Sequence, residues 1–522
     1  MRTKNRMLVA LLLLASGAAA CADLEVVNTV APDRERTLAR PEDAVGLVSA
    51  GYRNWWNVGS SYDGPMMFMS TASFQHSAYP ANFVMVDYSK IPRIPINNNT
   101  FAGDQYSYFR YAWVQYYRAI SGVAQGLQAL EGVYLGSSSE DTRIQAYGKL
   151  VQGLAHGGIA LLFDQGYIFD ETMNLEEPQP LVSYDKVMEA ALKYLDDAIT
   201  IASRDTFTIP ADWMGRDVSR DDLIKFAYSM KARYRANVAR TPDERKAVDW
   251  DAVVADIDKG ITEDWEMNLV SGSGWGSTGL RYAQLKGWGQ LSYFVMGMAD
   301  QSGKYQKWMS TPINSRTVTV DGEPFLIVTP DKRFPQGSTL AEQTANRGTL
   351  WKIPNAVGEQ WARPDRGEWR WSYYNSVYEG WGNSSPWPVI TVAELDLLRA
   401  EAHYHKGEFA QAAAIVNKYR TAAGLNATDA SGTNTDCVPK LPNGECGDLW
   451  EMLKWEKRLE TYFKGHMMNS WFFDGRGWGD LMEGTFLEFP VPALDLELEG
   501  LPLYTTGGVG GRSAAPVGTY GY

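Results

Sequence analysis

Long amphipathic segments that come in pairs restrict the fold of this 522-residue chain more than any other feature. In each segment apolar residues recur every three or four positions, which is the spacing of one face of an α-helix. Short polar turns join the paired segments, so each pair is predicted to form an antiparallel helical hairpin. The predicted helical regions cover about residues 40–57, 104–165, 183–240 and 392–464.

One hairpin carries a repeat signature, in the segment from Ala400 to Ala412. Small residues stand where two helices would cross, Gly407 allows the turn, and Phe409 fills the gap between the helices. This spacing resembles a tetratricopeptide unit, from which it departs at His403, where an apolar or aromatic residue is usual. Such units stack side by side. We therefore predict a mainly α fold, a tetratricopeptide-like α-α superhelix with a large loop-rich insertion that contains little strand.

Two segments interrupt the helical pattern, at about residues 58–103 and 265–390, and both are rich in glycine, proline and aromatic residues. Exposed aromatic rings beside short polar groups on loops can stack on sugar rings and hydrogen-bond to hydroxyl groups. Trp369 and Trp371 would share one face if residues 367–374 are extended, and they are the favoured pair. The alternative is that individual loop tryptophans pack against the helices. The predicted ligand-binding residues are Trp369, Trp371, Trp361, Trp381, Tyr79 and Asn82, within a wider run that includes Trp275, Trp288, Trp351 and Trp387.

The first twenty residues have the pattern of a cleaved export signal. A basic start precedes an apolar run from Met7 to Ala15, which is too short to cross a bilayer. Small residues then precede Cys21, an arrangement that resembles a bacterial lipobox although Ala18 replaces the usual leucine. We predict a signal peptide at 1–20, lipidation of Cys21 and a polar tether over 21–39. The open alternative is an ordinary secretory signal followed by an incidental cysteine.

Charge and cysteine content argue against several classes of function. Without residues 1–20 the chain has 46 basic and 62 acidic residues, a net charge of −16, which disfavours binding to nucleic acid. Cys437 and Cys446 are predicted to form a disulfide in an oxidising compartment. No metal-ligand cluster or catalytic motif is evident in the sequence, so we expect no metal, no cofactor and no enzymatic activity. Residues 505–522, rich in glycine and small residues, are predicted to form a flexible tail.

Several sequence blocks follow one another in a characteristic order along the chain: Cys21 to Glu25, Gly148 to Gly166, Leu398 to Ala402, Asn417 to Leu425, Trp455 to Glu460, Phe463 to His466, Phe473-Asp474, Gly477 to Gly479 and Pro490 to Pro492. Together these blocks resemble the SusD/RagB family. The closing blocks are the most specific, with Lys464, His466 and Arg476 as departures from the family pattern.

The resemblance implies a single SusD-like domain over residues 40–504, in a lipid-anchored protein of the outer membrane that faces outward. Family members cover a TonB-dependent β-barrel receptor, here a SusC-like partner, and deliver glycans or peptides to it without catalysis. The aromatic residues favour a glycan, whereas the acidic surface could attract basic peptides, so the ligand class stays open. The alternative function is a helical-repeat scaffold that binds another envelope protein, which the many loop aromatics disfavour.

Overall fold

Helices make up about half of the part of the chain that the computed structural model describes, namely residues 40–77, 85–99, 104–270, 272–285, 289–354, 368–378, 386–466 and 470–522. Cys21 and the predicted signal and tether lie outside these ranges. The first predicted helical region holds two helices, which meet at Gly51. A Cβ atom on Gly51 would lie 2.7 Å from the side chain of Val123, so glycine allows close contact there. The first four helices are α1 (Pro41–Ser49), α2 (Gly51–Ser60), α3 (Met66–Ala72) and α4 (Met85–Tyr88).

The second and third helical regions form stacked hairpins, as predicted. Their helices are α5 (Asp104–Ala129), α6 (Ser138–Leu162), α7 (Tyr184–Ala202), α8 (Ala211–Met214) and α9 (Arg220–Asn237). Serine side chains begin two of them, because Ser137 and Ser219 each accept a hydrogen bond from a backbone N–H three residues later, at 3.1 Å. Helix α6 is central, since every residue from Ala146 to Leu162 is buried.

Glycines in α6 let aromatic rings of the neighbouring helices lie directly on its backbone. A Cβ atom on Gly157 would lie 2.0 Å from the ring of Tyr234 in α9, and one on Gly158 would lie 2.4 Å from the ring of Tyr116 in α5. Both rings are buried. The distance between the helices is therefore set by the absence of a side chain at these positions.

The remaining helices include the predicted repeat unit. They are α10 (Pro242–Lys246), α11 (Trp250–Ile257), α12 (Thr278–Ala283), α13 (Tyr293–Met296), α14 (Lys304–Ser310), α15 (Leu340–Ala345), α16 (Val392–His405), α17 (Phe409–Ala422), α18 (Leu449–Glu460), α19 (Ser470–Trp478) and α20 (Ala493–Leu498). Helices α16 and α17 form the hairpin, which turns at Gly407 with a φ of +75°. The ring of Tyr404 lies 5.2 Å from Phe409 and 4.8 Å from Trp450 of α18. The predicted mainly α, tetratricopeptide-like superhelix is confirmed.

The strands are short and pair two by two in antiparallel fashion. They are β1 (Gln165–Gly166) with β2 (Val182–Ser183), β3 (Thr208–Ile209) with β4 (Val218–Ser219), β5 (Trp265–Asn268) with β10 (Pro386–Ile390), β6 (Thr319–Val320) with β7 (Glu323–Pro324), and β8 (Trp351–Lys352) with β9 (Asn375–Ser376). The β5–β10 pair places Met267 opposite Trp387 and so joins the two ends of the loop-rich insertion.

The C-terminal segment is not the flexible tail predicted for residues 505–522. The Ile96 N–H donates to the Thr506 carbonyl at 2.8 Å, and the Ala515 N–H donates to the Thr485 carbonyl at 2.7 Å. Tyr520 is buried, and its hydroxyl donates to a carboxylate oxygen of Glu451 at 2.8 Å. Composition suggested mobility, but backbone pairing with segments far away in sequence holds this tail against the domain.

Most described tryptophans of the insertion are buried, contrary to the expectation that they face outward. Trp275, Trp351, Trp369 and Trp387 all lie in the main hydrophobic core. Trp387, for example, packs edge to face on Trp56 at 5.4 Å, and its Nε1–H donates to the Phe463 carbonyl. The insertion therefore contributes to the core, because burial of large aromatic side chains away from water stabilises the folded protein.

Candidate ligand-binding site

The two loop-rich segments meet at a junction formed by residues 74–77, 289–294 and 368–378. Ser77 and Gln290 exchange two backbone hydrogen bonds, at 2.8 and 2.9 Å. On the other side of Gln290, the Leu291 N–H donates to the Tyr374 carbonyl at 3.1 Å. The Asn375 amide also donates to the Gly289 carbonyl at 2.9 Å. The junction therefore brings three chain segments, distant in sequence, side by side.

Trp369 does not belong to an exposed face of this junction. It lies in a 3₁₀ turn, Glu368–Arg370, and its side chain is 7% exposed. Its ring packs edge to face against Phe294, with 5.7 Å between the ring centroids. The extended conformation on which a shared face of Trp369 and Trp371 depended is not present at 368–370, where the turn directs Trp369 inward.

Trp371 and Tyr373 form the partly exposed aromatic pair of the junction. Exposure alternates from Trp371 to Tyr374, since Ser372 and Tyr374 are buried and the other two are only half-buried. The rings of Trp371 and Tyr373 lie 5.3 Å apart with 57° between their planes. Partial burial raises the pKa of Tyr373, so its hydroxyl is protonated at neutral pH. Sequence reasoning missed Tyr373, although its two-residue spacing from Trp371 was a usable signal.

The other predicted ligand-binding residues, Trp361, Trp381, Tyr79 and Asn82, lie outside the described residues. For each of their ranges, one bordering described residue belongs to the junction. Ser77 precedes 78–84, Glu368 follows 355–367, and Tyr378 precedes 379–385.

A second contact between the same loop-rich segments carries a further pair of half-buried aromatic rings. Tyr62 and Tyr282 meet edge to face at 5.6 Å. The Tyr62 N–H donates to the Thr278 hydroxyl at 3.2 Å, and the Ser277 hydroxyl donates to the Ser60 carbonyl at 3.1 Å. Neither tyrosine was singled out from the sequence, since single tyrosines in irregular segments carry no local pattern.

Buried polar side chains without a hydrogen-bond partner lie beside the junction and beside the Tyr62–Tyr282 contact. Among the described residues, the side chains of Gln75, His76 and Gln284 are fully buried and have no hydrogen-bond partner. Burial lowers the pKa of His76 to about 3, so its imidazole is neutral. An unpaired buried polar group destabilises a fold by about 1–3 kcal/mol, and such groups often mark functional regions.

Several residues that carry the family resemblance lie away from the junction, in a buried group of charged side chains between helices. Arg245, Glu401, Lys457 and Asp474, here called the charge cluster, join α10, α16, α18 and α19. Arg245 Nη2 lies 2.8 Å from Glu401 and 3.0 Å from Asp474, and Lys457 Nζ lies 2.9 Å from Asp474. Burial by itself raises the pKa of Glu401, but Arg245 and Lys457 outweigh it and hold that pKa well below its usual value. These motif positions therefore stabilise the helices and do not line the junction.

Cys437 and Cys446 are joined by a disulfide in the loop between α17 and α18, with their Cα atoms 4.6 Å apart. Within the described ranges, no group of three or more His, Cys, Asp or Glu side chains is arranged to hold a metal ion. None of the described helices has both the length and the apolar character needed to cross a membrane.

Comparison with known proteins agrees with this architecture. Residues 296–488 match the model of the SusD family. A SusD superfamily protein from Bacteroides vulgatus has 14% identity and a TM-score of 0.50, over 84% of this chain and 88% of that protein. A SusD homologue from Parabacteroides distasonis has 12% identity and a TM-score of 0.50, over 83% of this chain and 84% of that protein. No protein with a curated description matches the chain. The predicted resemblance is thus confirmed: residues 296–488 carry the SusD family sequence pattern, and the described chain has the fold of SusD superfamily proteins.

Proposed function

We propose that this protein is a lipid-anchored capture protein of the outer cell surface that binds an oligosaccharide or peptide at the junction. The observation that carries the proposal is the half-buried pair Trp371 and Tyr373, held on a SusD-like fold where the two loop-rich segments meet. The bound ligand would pass without turnover to a TonB-dependent, SusC-like β-barrel receptor. Anchoring would come from Cys21, whose position after small residues supports lipidation.

The aromatic pair suits the weak and reversible binding that a capture step needs. Covering about 100 Å² of a tryptophan face contributes roughly 2–3 kcal/mol at ~25 cal/mol/Å². Two such contacts, less the entropy lost on association, correspond to affinities in about the micromolar to millimolar range. Sugar rings present flat C–H faces to such rings, so a glycan is favoured over a peptide.

Titration of the purified protein against a panel of oligosaccharides and peptides tests the proposal. We expect at least one glycan to bind, as measured by calorimetry and by quenching of tryptophan fluorescence. Trp371→Ala and Tyr373→Ala should each weaken that binding about tenfold, which corresponds to ~1.4 kcal/mol.

The matched control is Trp450→Ala, because Trp450 is also half-buried but stacks on Tyr404 in the helical repeat. This variant should bind as the unchanged protein does. If both junction variants bind the glycan normally, the junction is not the site. If no member of the panel binds, the capture function itself is wrong.

A further inference from the structure

A second surface, away from the junction, combines apolar and acidic groups. It is a cleft of about 310 Å³ between α5, the loop after β1 and α20. Its apolar wall consists of Tyr167, Phe169, Leu175, Pro178 and Leu498. The wall is fixed in place, since the hydroxyl of Tyr117 accepts a hydrogen bond from the Tyr167 N–H at 2.6 Å and the Tyr117 ring lies parallel to Phe169.

Carboxylates line the same cleft without a cation among its described lining residues. They are Glu177, Asp495 and Glu499. Neutral groups donate hydrogen bonds to all three: the Asn174 amide donates to Glu177 at 3.0 Å, and the Tyr167 hydroxyl donates to Glu499 at 3.4 Å. Asp495 accepts from Trp113 Nε1 at 3.0 Å, and Arg110 lies near it. The cleft therefore keeps most of its negative charge.

Exposed leucines extend the apolar surface beyond the cleft. Leu498 is 79% exposed, and Leu494, Leu501 and Leu503 are between 37% and 43% exposed. All four lie within ten residues of chain, where Glu497 and Glu499 are exposed as well. Clustered apolar side chains surrounded by polar ones are typical of protein interaction sites.

We propose that this surface, residues 494–503 with the cleft beneath Leu498, binds a partner protein segment that presents an apolar side chain next to lysine or arginine. The apolar side chain enters the cleft against Tyr167 and Phe169, and the cation meets Glu177 and Glu499. The leucines outside the cleft cover further apolar residues of the same segment. This inference is independent of the proposed function, because the surface shares no residue with the junction.

The charges argue against other occupants. An anionic membrane surface would be repelled by the carboxylates, and a second copy of this chain, itself at net −16 without residues 1–20, would bring like charge. A glycan would gain little binding free energy from contact with four exposed leucines. A basic amphipathic segment is complementary in both apolar character and charge.

Panning a displayed library of random heptapeptides on the purified protein tests this inference. We expect enriched sequences to pair Leu, Ile or Phe with Lys or Arg. For the best labelled peptide, Leu498→Ser and Glu499→Lys should each raise the Kd about tenfold in fluorescence anisotropy. Added salt should also weaken binding. A peptide whose basic residue is exchanged for glutamate should bind well to the Glu499→Lys variant and poorly to the unchanged protein.

Matched controls are Val517→Ser and Glu323→Lys, which alter an exposed apolar and an exposed acidic residue on other segments and should leave the Kd unchanged. The proposal is overturned if no peptide is enriched, if enriched peptides lack basic residues, or if Leu498→Ser and Glu499→Lys bind like the controls. It is also overturned if sedimentation reveals a dimer that Leu498→Ser dissociates, since a second copy would then occupy the surface.

Discussion

Replacement of Glu401 by glutamine tests whether the charge cluster holds the C-terminal helices together. Glu401 is fully buried in α16 and accepts hydrogen bonds from Arg245 Nε, Arg245 Nη2 and Trp478 Nε1, each at 2.8 Å. Lys457 Nζ lies 3.3 Å away. Glutamine has almost the same volume but no charge, so Asp474 alone would remain in the cluster to balance two buried cations.

The magnitude follows from that imbalance. Removing one partner of a buried ion pair lowers the free energy of unfolding by about 3–5 kcal/mol. At ~2.1 cal/mol/K per residue, roughly 500 folded residues give an unfolding entropy of about 1 kcal/mol/K. Glu401→Gln should therefore lower Tm by about 3–5 °C at neutral pH.

The effect should also depend on pH with a definite sign. The pKa of Glu401 in the folded protein lies well below 4.5, the value for an unperturbed glutamate. Its contribution to stability is therefore complete above about pH 4.5 and is lost as the pH falls toward the folded pKa. The difference in Tm between the variant and the unchanged protein should shrink in acid.

Calorimetric melting at pH 7 and pH 4 measures both effects. Asp197→Asn is the control, because Asp197 pairs with Lys193 at 2.6 Å on an exposed helix face. Surface pairs of this kind contribute about 0–1 kcal/mol, so the control should melt within about 1 °C of the unchanged protein. An equally small shift for Glu401→Gln at pH 7 would refute the structural role of the cluster.

Two further predictions concern the core. Gly157→Ala should lower the free energy of unfolding by about 1–3 kcal/mol, because the added methyl group meets the buried ring of Tyr234 at 2.0 Å. In contrast, Gly46 is an exposed position of α1, and a Cβ atom there would have nothing within 4 Å. Gly46→Ala should therefore raise the free energy of unfolding by about 0.5–1 kcal/mol. Denaturant titrations that show the same sign for both variants would contradict this reasoning. Because burial lowers the pKa of His76 to about 3, only the unfolded chain binds a proton at this imidazole as the pH falls below 6.5, so the free energy of unfolding declines in acid. Between pH 6.5 and pH 5 the free energy of unfolding of the unchanged protein should fall by about 2 kcal/mol relative to that of His76→Gln. The difference in Tm between the two proteins should then change by about 2 °C. A difference in Tm that does not depend on pH would contradict the burial of a neutral His76.

Local periodicity in the sequence was sufficient to predict the long helices and their pairing, but not the short helices of the loop-rich segments. The hairpins α5–α6 and α16–α17 lie where apolar residues recur at helical spacing, and Gly407 makes the predicted turn. The motif blocks likewise indicated the resemblance to the SusD family, whose model matches residues 296–488. These features depend on residues near one another in sequence, so the sequence alone can reveal them.

Only the tertiary structure decided which aromatic residues face outward. Trp369 points inward because a 3₁₀ turn places it on Phe294, whereas Trp371 pairs with Tyr373 beside a segment some 80 residues earlier in the chain. The same holds for residues 505–522. Their composition predicted a mobile tail, but their backbone forms hydrogen bonds with the backbone at Ile96 and Thr485. In irregular segments, side-chain direction and order depend on contacts with distant residues, and no local pattern in the sequence encodes those contacts.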